Sequence, residues 1–127
     1  MNLEEQVKAM LDEIESCVDS LRCVPVIAHI DRYMRLLNDP SLLDRVSERK
    51  MLIQANAAFF LHRQSRAAAL DSLRNGRIHF LGTDCHDLFD RPPNMGAALD
   101  VIGDAGAEKY FERFNARVMQ ALKKAAV

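Results

Sequence analysis

Three short apolar runs, Val24 to Ala28, Met51 to Ala57 and Ile78 to Thr83, alternate with longer segments whose apolar residues recur every three or four positions. A run of five to seven apolar residues is short for a helix and reads as a buried strand. The long segments read as amphipathic helices. The order α-βα-βα-βα(α) predicts a parallel sheet with right-handed crossovers, because a strand that returns parallel to its predecessor needs a helix to carry the chain back. In such sheets, ligands bind beyond the carboxyl ends of the strands.

The first helical segment carries Leu3, Val7, Met10, Leu11, Ile14, Val18 and Leu21 over residues 3 to 21. Asn2 and Glu5 form a capping pair, and Glu4 and Glu5 suit the positive end of the helix dipole. Val24 to Ala28 is expected to be wholly buried, with Pro25 near its start. Residues 32 to 48 are expected to be helical in two pieces, broken near Asn38-Asp39-Pro40-Ser41, with Asp39 or Ser41 as the cap of the second. Residues 64 to 74 form an Ala-rich helix that Asn75-Gly76 stops. Arg91-Pro92-Pro93-Asn94 reads as a rigid loop. Helices follow over about 94 to 103 and 106 to 125.

With 127 residues, 49% of them hydrophobic and 28% charged, the chain fits a single domain, residues 1–127, with a real core. A formal net charge of −1 gives no case for nucleic-acid binding. No run is long enough for membrane insertion and none reads as a signal peptide, so a cytoplasmic protein is expected. Cys17, Cys23 and Cys85 lack paired spacing and read as reduced, mostly buried thiols. The residues after Cys85, His-Asp-Leu-Phe-Asp-Arg, do not supply the Gly-rich phosphate loop that a cysteine phosphatase needs. The basic cluster Arg45, Arg49 and Lys50 is interspersed with acids and reads as a solvated helix face.

The chemistry-bearing residues gather where the topology puts ligand sites. The first run ends in His29, followed by Arg32. The second carries its polar members, Gln54 and Asn56, near its carboxyl end. The third ends in Thr83-Asp84-Cys85-His86. Carboxylate and imidazole are the donors that hard and borderline divalent cations accept. The plain alternative is that His29 and His86 are satisfied polar residues at strand ends. His79 reads as a core or interface histidine, His62 as exposed, and Phe59 and Phe60 as core.

The same residues carry a family resemblance. Ala28-His29-Ile30-Asp31-Arg32-Tyr33 resembles the AHPERY or AHIERY motif of bacterial tyrosine-protein phosphatases of the PHP (polymerase and histidinol phosphatase) type, which regulate capsule and exopolysaccharide synthesis. Ile53-Gln54-Ala55-Asn56-Ala57-Ala58-Phe59-Phe60 is similar to the family's IQxNASFF segment. Phe80-Leu81-Gly82-Thr83-Asp84-Cys85-His86-Asp87, continuing to Arg91-Pro92-Pro93-Asn94-Met95, is similar to its FLGSDCHN…RPPNM block. The motifs stand in the family's order over residues 25 to 106.

The resemblance implies a partial (β/α) barrel of the PHP type, about three parallel strands with flanking helices, corresponding to the C-terminal half of the family's domain. It implies His29, Asp84 and His86 as metal ligands, for manganese first and iron or zinc next. It implies Arg32 and Arg91 as the groups that hold the phosphate, since a guanidinium offers phosphate two parallel hydrogen bonds. For Arg32 and Arg91 the alternative is surface charge pairing, Arg91 with Asp87 or Asp90. Asp31 stands where the family usually has Glu and is expected to be structural rather than a ligand. Asp87 replaces the common Asn. The implied reaction is hydrolysis of phosphotyrosine by metal-activated hydroxide, the implied partner a phosphotyrosine protein such as a bacterial tyrosine kinase of polysaccharide synthesis.

The family's early His-x-His is not among the four histidines, His29, His62, His79 and His86. Three strands also cannot close a barrel. A second reading is therefore an inactive, truncated remnant that binds a partner or forms a homo-oligomer over exposed sheet edges. A third, a phosphoesterase acting on a small molecule, differs only in its substrate pocket.

Overall fold

The protein is described by a computed structural model that covers residues 2–85, 87, 94–110, 119, 120 and 123. Helix α1, Leu3–Leu21, opens with the expected reciprocal cap. Asn2 Oδ1 accepts from Glu5 N at 2.8 Å, and Glu5 Oε2 accepts from Asn2 N at 3.1 Å. Its Val7 and Leu11 are buried in the core. Strand β1 is Val26–Ile27, followed by a 3-10 turn at Ile30–Arg32 and a one-turn helix α2, Met34–Leu37. Helix α3, Pro40–Glu48, starts at the Asn-Asp-Pro-Ser break. Asp39, not Ser41, is the cap: its Oδ1 accepts from the backbone N–H of Ser41 at 3.0 Å and of Leu42 at 3.3 Å. Pro40 at the first helical position removes a donor that would have had no partner there.

Strand β2, Leu52–Asn56, runs straight into helix α4, Ala57–Leu61, then α5, Arg66–Arg74, strand β3, Phe80–Gly82, and helix α6, Met95–Asp104. The strands pair in the order β1-β2-β3, all parallel, with Ile27 opposite Ile53 and Asn56 opposite Gly82. The mixed α/β architecture expected of the sequence is therefore present, with three parallel strands and flanking helices. The core is one cluster that includes Leu11, Ile30, Leu36, Ile53, Phe60, Leu73, Ile78 and Ile102, all buried.

Several expectations need correction. The first strand is not wholly buried: it has two residues, and Val26 is 48% exposed while Ile27 is buried. At the edge of the described sheet it has β2 as its one ladder partner, so alternate side chains face the core and the outside. The second strand stops at Asn56 rather than Ala57, and residues 57 to 61 form a helix that buries Phe59 and Phe60, edge to face with centroids 6.0 Å apart. Arg66 caps that helix, donating to the carbonyls of Phe60 and Leu61, each at 3.0 Å.

All three cysteines are exposed rather than buried, Cys17 on α1, Cys23 in the loop after it and Cys85 beyond β3. Arg45 and Arg49 are not simply solvated. Arg45 reaches Glu15 at 3.1 Å and Asp12 at 2.7 Å, and Arg49 reaches Asp19 at 2.9 Å, so the pairs fasten α3 to α1. The bond from Glu15, with that from Asp12 next, raises the Arg45 guanidinium pKa above its ordinary value. Most of the expected helix at 106 to 125 and most of the Arg91–Asn94 loop lie outside the described residues. Among the described residues no helix is long and apolar enough to cross a membrane.

Candidate active site at the carboxyl ends of the strands

Parallel pairing sends the chain past β1, β2 and β3 on the same side of the sheet. His29, Asn56 and Asp84 therefore arrive at one end of it. His29 and Asp84 both adopt left-handed backbone, with φ of 56° and 53°. For a residue with a Cβ this conformation costs about 1–2 kcal/mol. Such positions persist where surrounding bonds hold them, and they concentrate at functional sites.

At His29 those bonds are visible. Its backbone N–H donates to Gln54 Oε1 at 2.8 Å, and its Nδ1 lies 3.0 Å from Asn56 Oδ1. The Gln54 carboxamide is fixed at its other end by donation from Nε2 to Ala55 O at 2.8 Å. Asn56 is buried and tied in turn to Asp31, its backbone N–H reaching Oδ1 at 3.3 Å and its Nδ2 reaching Oδ2 at 3.4 Å. Gln54 also approaches Gly82 so closely that a Cβ there would lie 2.7 Å from Nε2. One carboxamide on β2 is thus bonded to the chain beyond β1 and packed closely against β3.

Arg32, one turn after His29, places Nη2 3.8 Å from Asp84 Oδ2. The Arg32 side chain is 57% exposed and the Asp84 side chain 23%. A pair this long and this wet contributes little to stability. Its consequence is positional: a cationic fork that follows β1 meets a carboxylate that follows β3 at the end of the sheet where His29 also lies. His86 and Arg91 lie outside the described residues, so the candidate site is defined by His29, Arg32 and Asp84.

An imidazole and a carboxylate are suitable donors for a divalent cation. Among the described residues, however, no group of three or more His, Cys, Asp or Glu side chains is close enough to hold one. The residues fit such an ion in kind but do not complete its coordination alone. Gln54, Asn56 and Asp31 are the residues that sequence reasoning undervalued. The signal was present, since two amides in an otherwise apolar strand need a polar partner. His79, half-buried just before β3, accepts from Ile53 N at its Nδ1, 3.0 Å away. It lines a cleft of about 530 Å³ at the opposite end of the sheet, with Lys50, Met51 and Arg77.

Comparison with known proteins shows what the chain is similar to. The family model for capsular polysaccharide synthesis proteins CpsB/CapC matches residues 2–122. The tyrosine-protein phosphatase CpsB of Streptococcus agalactiae is 29% identical over 112 residues, covering 81% of this chain and 46% of the relative. That of Streptococcus pneumoniae is 32% identical over 103 residues, covering 74% and 42%. A solved structure matches with a TM-score of 0.68 at 21% identity, over 93% of this chain and 47% of its own. It comes from work on YwqE from Bacillus subtilis and CpsB from Streptococcus pneumoniae, described as unique metal-dependent tyrosine phosphatases. This chain spans about half the length of the curated relatives it matches.

Proposed function

The chain belongs to the capsular polysaccharide synthesis family CpsB/CapC, and we propose that it forms the C-terminal part of a metal-dependent protein-tyrosine phosphatase of the PHP type. Its place would be the cytoplasm, and its substrate a phosphotyrosine protein, such as a tyrosine kinase of polysaccharide synthesis. His29, Asp84 and His86 would hold divalent metal, manganese first. A bound cation supplies charge neutralisation at the phosphoryl oxygens and activation of water.

The chain's own residues do the rest. His29 offers an imidazole from a backbone held by Gln54. Asp84 offers a carboxylate at the end of β3. Arg32 makes one long contact to Asp84 and has further guanidinium N–H donors for a phosphate, which a fork matches two at a time. Arg91 would supply a second fork. The observation that supports the reading is that His29 and Arg32 follow β1 and Asp84 follows β3 at the same end of a parallel sheet, with Arg32 reaching Asp84.

The test is metal analysis of the purified chain together with hydrolysis of p-nitrophenyl phosphate and a phosphotyrosine peptide, with manganese added. The 127-residue chain is expected to retain metal weakly and turn over little, since its described donors do not complete a coordination shell. A chain extended by the half that its relatives have in addition is expected to be active, and His86→Ala to abolish that activity. An extended protein with no metal-dependent hydrolysis refutes the proposal.

The exposed Val26 on β1 and Leu21, 72% exposed at the end of α1, favour a second reading. In it, the chain self-associates or binds a partner along this edge. Sedimentation of the isolated chain as a monomer at all concentrations would remove it.

A further inference from the structure

We propose that Asp31 and Asn56 are positioning residues that set the tautomer of His29, putting its proton on Nδ1 and leaving the Nε2 lone pair for a cation. The purpose assigned to this relay rests on the phosphatase reading above; the relay itself rests on geometry. The chain of contacts runs from a carboxylate through an amide to an imidazole. Asp31 Oδ1 accepts from the backbone N–H of residue 56 at 3.3 Å, and Oδ2 accepts from Asn56 Nδ2 at 3.4 Å. An ionised carboxylate has acceptors and no donor. The nitrogen of the Asn56 amide must therefore face Asp31, since the reverse orientation would set oxygen against oxygen.

A second contact supports that orientation. Gln54 Nε2, whose own direction is fixed by its bond to Ala55 O, lies 3.4 Å from Asn56 Oδ1. The Asn56 oxygen is then left pointing at His29 Nδ1, 3.0 Å away. An oxygen acceptor at that distance selects the Nδ1–H form of a neutral imidazole. Asn56 is buried, so water does not offer the amide an easy alternative. A residue that merely filled space would not need this polarity.

The consequence can be read directly. In Asp31→Asn, the backbone N–H of residue 56 keeps the new side-chain oxygen, so the new amide nitrogen faces Asn56 Nδ2. Two donors cannot share that contact. The Asn56 amide turns over, presents Nδ2 to His29, and forces the ring proton to Nε2, where a cation would otherwise bind. Gln54 opposes that turn from 3.4 Å, the same distance as the contact to residue 31, but its nitrogen is already bonded to Ala55 O at 2.8 Å. In the double exchange Asp31→Asn with Asn56→Asp, the amide at 31 donates to the carboxylate at 56, which again accepts from Nδ1–H.

The experiment is long-range 15N–1H correlation of the histidine rings in the full chain at about pH 8.5, two units above the ordinary histidine pKa. A His29→Gln variant assigns the signal. His79 is the internal reference, because its Nδ1 accepts from Ile53 N and so its proton sits on Nε2. His29 is expected as Nδ1–H in the natural chain, Nε2–H in Asp31→Asn, and Nδ1–H again in the double exchange. An Nε2–H ring in the natural chain, or the same tautomer in all three proteins, overturns the relay. Manganese titration is read beside it, with a loss of about 10–100-fold in affinity expected for Asp31→Asn. If the tautomers behave as stated while a chain carrying the missing half shows no metal-dependent hydrolysis, the relay stands and the phosphatase reading fails.

Discussion

Gly82→Ala tests the close packing of the Gln54 carboxamide against β3. A Cβ at residue 82 would lie 2.7 Å from Gln54 Nε2 and 3.7 Å from Cδ. Nε2 must retreat by about 0.7 Å to reach ordinary contact at 3.4 Å. A loose glutamine tip would simply swing aside. This one is bonded at both atoms, to Ala55 O and to His29 N, each at 2.8 Å. Moving it stretches or breaks at least one part-buried hydrogen bond, which costs about 1–3 kcal/mol when the partner is left unsatisfied. Alanine also narrows the unfolded ensemble, a gain of about 0.4–1 kcal/mol. The net expectation is a loss of about 1–2 kcal/mol.

The assay is urea unfolding of four proteins: natural, Gly82→Ala, Gln54→Ala and the double variant. With Gln54 removed, the obstruction is gone, and Gly82→Ala should become neutral or stabilising by about 0.4–1 kcal/mol. The coupling between the two sites is then about 2 kcal/mol, within the range found for touching residues. An equal effect of Gly82→Ala in both backgrounds would refute the reasoning.

Two further predictions concern the supports of α3. The Asp39 carboxyl is held below its ordinary value of 3.8, first by the Ser41 hydroxyl at 2.7 Å and, with it, by the backbone N–H groups of Leu42 and Ser41. Its folded pKa lies below its unfolded one, so its contribution is present above about pH 4 and fades as pH falls through the folded value. Asp39→Ala should lower the unfolding midpoint at about pH 7, and the difference from the natural chain should shrink between about pH 4 and pH 2, followed by circular dichroism. Arg45→Met removes the contacts to Glu15 and Asp12 and should cost about 0.5–1 kcal/mol at low salt, less in about 1 M NaCl, where the Debye length falls to about 3 Å. A salt-independent loss would assign the effect to packing of the arginine stem instead.

Local rules made much of the fold legible. The cap at Asn2, the cap at Asp39 and the stop at Asn75-Gly76 depend on residues within a few positions of one another, and each is present. The three apolar runs are strands because their composition and length leave few alternatives. What depended on distant partners was harder to read. The exposure of Val26 follows from β1's place at the edge of the described sheet, which no local pattern encodes. Residues 57 to 61 are all apolar, which suits a strand or a helix, and only the core that receives Phe59 and Phe60 decides between them. Arg45 finds its carboxylates thirty or more residues earlier. At the site, the placement of His29 and Asp84 at strand ends was legible from the βα order. The amide linkage through Gln54 and Asn56 was not, because register and parallel pairing create it.

The solvent-facing sulfur of Cys85 follows Asp84 directly in the chain. With Cys17 and Cys23 replaced by serine, a maleimide dye would attach there alone. Its emission would then respond to whatever binds beside Asp84 at the carboxyl ends of the strands, giving this chain an optical readout that needs no turnover.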